Sequence, residues 1–284
     1  MKIAYITDTG TGKDLAYFED QGIFCLPLQI TDEQKNYQDM EQLRTDELVS
    51  LLKAKKVLST SLPALGNIVN LMQRLKDENY DLVIAVCICN GLSSTIDTLK
   101  ATAKNFDLKL ICIDTYVTAV VQEYLIIQIK KWFEAGQSLE EILPKTEAII
   151  ASCNTLILPS DMQHLKRGGR LNATAALLAG LLKIVPILKI NKDTNGKIDV
   201  LDKVRTYQKA LGKTIENIQA DINEQEDYLI TIAHVNCPEK AQQVQEMISA
   251  AIPCAKTQII KLCNVVSVHT GLDCIAIQYF KQIH

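Results

Sequence analysis

The chain has 284 residues, enough for one large or two ordinary domains with full hydrophobic cores. Its formal net charge of -3 shows no excess of basic residues, which disfavours nucleic-acid binding. The nine cysteines form no CxxC pair, their odd number argues against a full disulfide framework, and neither a signal peptide nor a long apolar span is visible. We therefore expect a reduced, soluble, cytoplasmic protein without an integral membrane segment.

The first half of the sequence alternates strands and helices. Runs rich in Ile, Val and Leu predict strands at 2–8, 23–30, 80–88 and 108–114. Helical apolar spacing stands between them, and one helix is predicted to begin at Pro63 and to run to about Asn79. This βαβα alternation, with aromatic residues at only 5%, favours an α/β fold: a mostly parallel sheet with helices on both faces.

The second half changes to a mixed pattern. A helix predicted at 161–170 is stopped by two glycines, and the turn NKDTNGK separates two strands of a predicted hairpin. Further strands are predicted at 155–159, 228–236, 257–262, 264–268 and 274–280. A hairpin within α/β alternation indicates a second domain, so we expect one α/β domain at 1–153 and another, with a mixed sheet, at 154–284.

Polar clusters follow the predicted strands: DTGTG (8–12), CNGLSST (89–95), DT (114–115) and HTG (269–271). Ligands bind beyond the carboxyl ends of strands in open parallel sheets, although these residue types are also ordinary turn and cap residues. Neutral donors at two predicted helix starts, Thr60 with Ser61 and Asn90 in its loop, suit a carboxylate or phosphate. Thr60, with Ser61 beside it, is expected both to cap a helix and to offer a hydroxyl to such a group. No GxGxxG, Walker, HExxH or GxSxG motif is present, so neither nucleotide binding nor hydrolysis is indicated.

Five segments occur in the order found in one known family. They are STSLPALGNI (59–68), ICNGLSSTIDT (88–98), LKRGGRLNATAALLAGLLKIVPIL (165–188), GKIDVLDKVRTYQKAL (196–211) and VHTGLDCIAI (268–277). They resemble the TSQPS, SSGLSGTYQS, KGGRI, hairpin-KxR and HxGxGxxG motifs of the DegV family of bacterial fatty-acid-binding proteins. The resemblance runs from Asp8 to the last strand and covers essentially the whole chain.

This resemblance implies a two-domain protein that buries one long-chain fatty acid in a tunnel between its domains and is not itself an enzyme. The small-residue run ATAALLAGLL (173–182) would let a helix pack closely on the acyl tail, with ordinary helix–sheet packing as the alternative. It implies that a separate ATP-dependent kinase subunit, similar to dihydroxyacetone kinases, phosphorylates the presented carboxylate. The residues that it assigns to the carboxylate are Thr60, Ser61, Asn90, Gly91, His269 and Thr270. Those near the head group, or facing the phosphate and the kinase, are Asp8, Arg170 and Arg205. It implies no metal, and no cofactor besides the fatty acid ligand.

Departures from the family pattern keep other interpretations open. Asn90 replaces a serine, and Ser94 replaces a glycine. Leu272 and Asp273 occupy the second half of the histidine motif, where Asp273 tolerates a left-handed backbone but would repel an anionic head group if it pointed inward. The alternatives are a lipid carrier without kinase coupling, and a small transferase acting on another anionic substrate. The remaining internal histidines, His164 and His234, are interpreted as structural.

Overall fold

The computed structural model describes residues 1–178 and 184–284 of the chain. These residues form two compact units, one of residues 1–142 with 263–268 and one of residues 143–262 with 269–284. Both units contain helices and sheets, so the predicted α/β class is confirmed. The domain boundary predicted after residue 153 stays a prediction.

A parallel four-stranded sheet organises the first unit. Its strands are β1 (Ile3–Asp8), β2 (Phe24–Leu26), β6 (Leu82–Ala85) and β7 (Leu110–Cys112), in the order β2-β1-β6-β7. Because all the pairings are parallel, the carboxyl ends of the strands meet at one edge. β1 and β6 are buried along nearly their whole length, which explains their continuous apolar sequences.

Helices pack on both faces of this sheet, as predicted. The helices of this unit are α1 (Leu15–Glu19), α2 (Thr45–Lys53), α3 (Leu65–Asp77), α4 (Thr95–Lys104) and α5 (Val120–Glu134), and α6 (Leu139–Ser152) continues from it into the second unit. Ile6 lies in one core cluster with Ile68 of α3 and Leu99 of α4. Tyr5 points to the opposite face, where its ring centroid lies 6.4 Å from that of Phe133 in α5.

The first unit also contains a three-stranded antiparallel sheet that the sequence did not predict. Its strands are β3 (Gln29–Thr31), β4 (Asn36–Gln38) and β5 (Ser59–Ser61), in the order β4-β3-β5. The single strand predicted at 23–30 is wrong, because Pro27 cannot donate to a ladder and separates β2 from β3. The helix start predicted at Pro63 is also wrong: Thr60 pairs with Ile30, and α3 begins only at Leu65.

A six-stranded mixed sheet forms the second unit. Its strands are β8 (Asn154–Leu158), β9 (Val185–Ile190), β10 (Asp199–Val204), β11 (Tyr228–His234), β12 (Lys256–Lys261) and β13 (Ile275–Lys281), in the order β10-β9-β8-β13-β11-β12. β9 and β10 form the predicted antiparallel hairpin, and β11 pairs with β12 in parallel. The mixed C-terminal sheet with a hairpin is therefore confirmed.

The core of the second unit lies between this sheet and two long helices. The helices are α7 (Met162–Arg167), α8 (Ala173–Leu178), α9 (Tyr207–Asp221) and α10 (Pro238–Ala251). Ile187, Ile230 and Ile277 of the sheet are fully buried, and they share a cluster with Ile218 of α9 and Ile248 of α10. The small-residue run 173–182, predicted to pack closely, continues beyond α8 into 179–182, which lie outside the described residues.

The strand predicted at 264–268 is wrong, because these residues begin helix α11 (Asn264–Thr270). Valines favour strands locally, but β12 and β13 lie on opposite sides of β11, so the chain must cross between them. The helical turn is closed by the Cys263 carbonyl, which accepts a hydrogen bond from Ser267 N at 2.9 Å. Tertiary context thus overrides local propensity here.

The described residues include all nine cysteines, and no disulfide joins any of them. Eight of the thiols have a pKa that burial raises, among them Cys112 (to about 11), Cys263 and Cys274 (each to about 12). Within residues 1–178 and 184–284, no helix is long and apolar enough to cross a membrane.

Candidate functional site

Asp8 joins the carboxyl ends of β1 and β6. Its Oδ1 accepts hydrogen bonds from Gly10 N (2.9 Å) and Gln122 Nε2 (2.8 Å), and its Oδ2 accepts from Ile88 N (3.0 Å). Burial raises the pKa of the fully buried Asp8 carboxyl, whereas these donors and the Cys87 thiol favour its charged form. Both oxygens already have donors, so Asp8 anchors the loops that follow the two strands.

The loop that carries Asn90 and Gly91 is tied to the loop after β7. Asn90 N donates to Asp114 Oδ2, and Asn90 Nδ2 donates to Asp97 Oδ1 in the first turn of α4, both at 3.2 Å. Asn90 is exposed and Gly91 is half-buried. Through Asp8 and Asp114, the polar segments after β1, β6 and β7 are therefore held together at one edge of the parallel sheet.

Thr60 and Ser61 lie in β5, so the helix-capping role predicted for them is wrong. α3 begins at Leu65, and its N-cap residue, Ala64, makes no side-chain capping bond. Successive residues of a strand point to opposite faces, so the two hydroxyls point apart. Thr60 is half-buried and Ser61 is exposed. A ligand on one face of β5 can therefore contact one of these side chains.

In the second unit, the end of α7 meets the end of α11 at two glycines. A Cβ atom at Gly168 would lie 2.7 Å from His269 Nδ1, and one at Gly271 would lie 3.0 Å from the His164 ring. Gly271 also has a φ of 77°, in the left-handed region. Thr270, between His269 and Gly271, is buried. The glycines thus allow the two imidazole rings to approach the backbone of the opposing turn.

The electrostatics of this cluster keep His269 neutral. Burial is the main cause, and together with the nearby Arg170 and His164 it lowers the pKa of His269 to about 3. Arg170 is half-buried, which lowers the pKa of its guanidinium, and it donates to Gly168 O at 2.8 Å. A guanidinium keeps its proton in proteins. The cluster therefore combines a neutral imidazole with one permanent positive charge.

The turn after the histidine motif survives the replacement of its second glycine. Asp273 has a φ of 61°, the left-handed backbone predicted for it, and its N–H donates to Val235 O at 2.8 Å. Its side chain is exposed. Arg205, also exposed, directly precedes Thr206, whose hydroxyl caps α9 through Lys209 N. An inward-pointing Asp273 carboxylate would repel an anionic head group, as considered from the sequence. Because the Asp273 side chain is exposed, this inward orientation is not observed.

The predicted site residues fall into two groups, each within one unit. The first unit contains Asp8, Thr60, Ser61, Asn90 and Gly91, and the second contains Arg170, Arg205, His269 and Thr270. Sequence reasoning missed the contact of His164 with Gly271 and the support of Asn90 by Asp97, because no local pattern signals either pairing. Among the described side chains, no three His, Cys, Asp or Glu residues gather as a metal site.

The motifs that supply these residues belong to one protein family, whose model matches nearly the whole chain. The family model described as "Uncharacterised protein, DegV family" matches residues 2–282. This chain belongs to the DegV family. A DegV domain-containing protein of Listeria innocua is 27% identical to it over 272 residues, which are 95% of each chain.

Two solved DegV structures share this fold over the whole length. The fatty acid binding DegV family protein of Streptococcus agalactiae is 28% identical, with a TM-score of 0.90 and 100% of both chains covered. DegV of Bacillus subtilis, a fatty acid binding protein, is 25% identical with a TM-score of 0.87, covering 99% of this chain and 100% of its own. The resemblance to the DegV family read from the sequence is confirmed.

Proposed function

We propose that this DegV protein binds one long-chain fatty acid. The observation that carries the proposal is its likeness over the full chain to the fatty acid binding protein of S. agalactiae, at 28% identity and a TM-score of 0.90. The groups proposed to hold the carboxylate are Thr60, Asn90, Gly91, His269 and Thr270, together with Arg170, which lies close to His269. Ser61 contributes less, since it is exposed on the opposite face of β5 from Thr60.

The chemistry of these groups suits a carboxylate. An ionised carboxylate removed from water needs several hydrogen-bond donors, and the charge itself needs an opposite charge. The neutral ring of His269 supplies a donor without charge, because its pKa is lowered to about 3. The positive charge that balances the carboxylate comes from the half-buried Arg170.

The acyl chain supplies most of the binding free energy in this proposal. Each buried CH₂ contributes about 0.8 kcal/mol, so roughly fourteen methylenes contribute about 11 kcal/mol before the costs of association. The tunnel between domains that the resemblance implies stays a prediction. The small-residue helix α8 is the part of the predicted tail-packing run that lies within the described residues.

Presentation of the carboxylate to an ATP-dependent kinase subunit is the finer part of the proposal. The exposed Arg205, at the start of α9, supports it as a positive group available to a phosphate or a partner. The alternative is a carrier without kinase coupling, which is suggested by Asp273 in the place of a glycine of the histidine motif.

The variant Asp273→Gly tests this alternative. If it produces no more acyl phosphate than the parent with a dihydroxyacetone-kinase-like partner, Asp273 no longer supports the alternative.

Native mass spectrometry of the purified protein, followed by lipid extraction and gas chromatography, tests fatty acid binding. We expect the mass increment of one C16–C18 fatty acid. Thr60→Ala should weaken binding by about 10- to 100-fold, the loss of a hydrogen bond to a charged group. The matched control is Ser59→Ala, an exposed hydroxyl of the same strand, which should bind like the parent. A delipidated protein that takes up no C14–C18 acid contradicts the proposal.

A further inference from the structure

Asp39 and Asn264 form a buried polar contact between distant parts of the sequence. Both residues have 0% exposure. Asn264 Nδ2 donates to Asp39 Oδ1 at 3.0 Å and to the Leu43 carbonyl at 3.3 Å. Asp39 follows β4, and Asn264 is the first residue of α11. The two amide hydrogens of Asn264 therefore both have acceptors.

The other oxygen of each side chain has no partner. Asp39 Oδ2 and Asn264 Oδ1 are both buried, and among the described residues neither makes a hydrogen bond. Two acceptor oxygens cannot bond to each other unless one of them carries a hydrogen atom. Buried polar atoms without partners are rare in folded proteins, and this pair occurs on two side chains already joined by one hydrogen bond.

We propose that folded Asp39 is protonated at Oδ2 and donates this proton to Asn264 Oδ1, which closes an acid–amide pair with two hydrogen bonds. One proton satisfies both orphan oxygens at once. The existing Nδ2–Oδ1 bond already joins the same carboxyl and amide groups, so the second bond adds to a contact that is formed. No other group needs to enter the site.

The surroundings favour the protonated acid. Burial is the main cause that raises the pKa of Asp39 to about 6, and the negative charge of Asp8 acts in the same direction. Hydrogen bonds from Thr9, Asn264 and the Met40 backbone oppose this rise in the pKa. Among the described residues, the thiols of Cys25 and Cys263 also lie close enough for the Asp39 charge to raise their pKa. A hydrogen bond that only the protonated form donates adds to the effect of burial.

The pair makes Asp39 a positioning residue for the proposed fatty acid site, and this step rests on the proposed function. Helix α11 begins at Asn264 and ends with His269 and Thr270. When the pH rises and Asp39 loses its proton, the second hydrogen bond is lost and both buried oxygens are again without a donor. The start of the helix then loosens, and we expect faster release of fatty acid as the pH rises above about 6.

Asp39→Asn tests the proton directly, because an asparagine supplies both the N–H and the carbonyl without a proton to lose. The folded pKa of Asp39 lies above its unfolded value of about 4, so its stabilisation is complete below that value and is lost as the pH rises towards about 6 and beyond. Relative to Asp39→Asn, the parent protein should lose roughly 100-fold in its folding equilibrium constant between pH 4 and pH 7. The control Asp107→Asn removes an exposed carboxyl and should show no such trend.

Two further measurements separate the acid–amide pair from burial alone. The infrared difference spectrum between the parent and Asp39→Asn at pH 5.5 should contain the C=O band of a protonated carboxyl that shifts when Asn264 is replaced by leucine. The exchange variant Asp39→Asn/Asn264→Asp, which swaps acid and amide, should restore the pH dependence. A missing or unshifted band, or parallel stability curves, overturns the proposal.

A bound cation in place of the proton is also distinguishable. Potassium at pH 8 would then raise the melting temperature of the parent and not that of Asp39→Asn, and this result would overturn the proposal.

The effect on fatty acid release is measured separately, as the rate of release at pH 6 and pH 8 in the parent and in Asp39→Asn. Absence of any fatty acid binding contradicts the proposed function, while the stability curves still decide on the proton.

Discussion

Replacing Gly168 by alanine should disturb the proposed fatty acid site more than the fold. Gly168 ends α7 with a φ of −62°, a helical conformation that alanine adopts readily. The new Cβ, however, would lie 2.7 Å from His269 Nδ1 and 3.1 Å from both His269 Cβ and the Leu165 carbonyl oxygen. The substitution therefore tests whether the position of His269 matters for binding.

The structure sets the size of the effect. Ordinary contact with a Cβ begins near 3.4 Å, so the ring of His269 must retreat by about 0.7 Å. Overpacking of this kind costs about 1–3 kcal/mol, against which the backbone gains about 0.5–1 kcal/mol when glycine is replaced. We expect a net loss of about 1 kcal/mol in the free energy of unfolding. A displaced donor loses its bond to the carboxylate, which corresponds to about 10- to 100-fold in affinity.

Gly169→Ala is the matched control. Gly169 has a φ of 72°, and no atom lies within 4 Å of the position that its Cβ would take, so alanine there suffers backbone strain of about 1–2 kcal/mol without touching His269. Thermal unfolding and fatty acid titration should thus show two destabilised proteins, of which only Gly168→Ala loses affinity. If Gly168→Ala binds like the parent, or if both variants lose affinity equally, the positioning of His269 against this turn does not matter for binding.

Two other substitutions test the anchoring and the electrostatics. Asp8→Ala leaves the donors of Gly10, Ile88 and Gln122 without their acceptor and should cost about 3–5 kcal/mol in urea unfolding; a loss below about 1 kcal/mol would contradict the anchoring role. His269 has a folded pKa of about 3, below its usual 6.5, so the stability due to its neutral form is complete above pH 6.5 and is lost as the pH falls towards 3. His269→Gln should remove a stability slope of several kcal/mol over that window, and an unchanged slope would show that His269 is not the group responsible.

Much of the fold could be predicted from local sequence. The β-branched residues of β1 and the continuous apolar run of β6 predicted strands of a parallel sheet, and NKDTNGK predicted the hairpin of β9 and β10. The two glycines at 168 and 169 predicted the end of α7. Each of these signals depends on neighbours in the chain, namely side-chain periodicity, turn chemistry and backbone freedom.

Other elements depended on partners that are distant in sequence. The sequence predicted that Thr60 and Ser61 cap a helix, whereas in the structure they form β5, which pairs with β3. A run of hydroxyl residues can occur at a helix cap or in a strand, so the local sequence does not decide between the two. The valines of α11 predicted a strand, but at this point the chain must pass from β12 to β13, which lie on opposite sides of β11. Long-range pairing, rather than intrinsic propensity, sets the conformation of both segments.

The same division applies to the candidate site. The ordered motifs identified the DegV family and named Thr60, Asn90 and His269 without any structure. The pKa of His269 and the pairing of Asp39 with Asn264 could not be predicted, since burial and contact between residues 225 positions apart exist only in the folded chain. A sequence records which groups are present, whereas their desolvation and their partners arise when distant segments pack together.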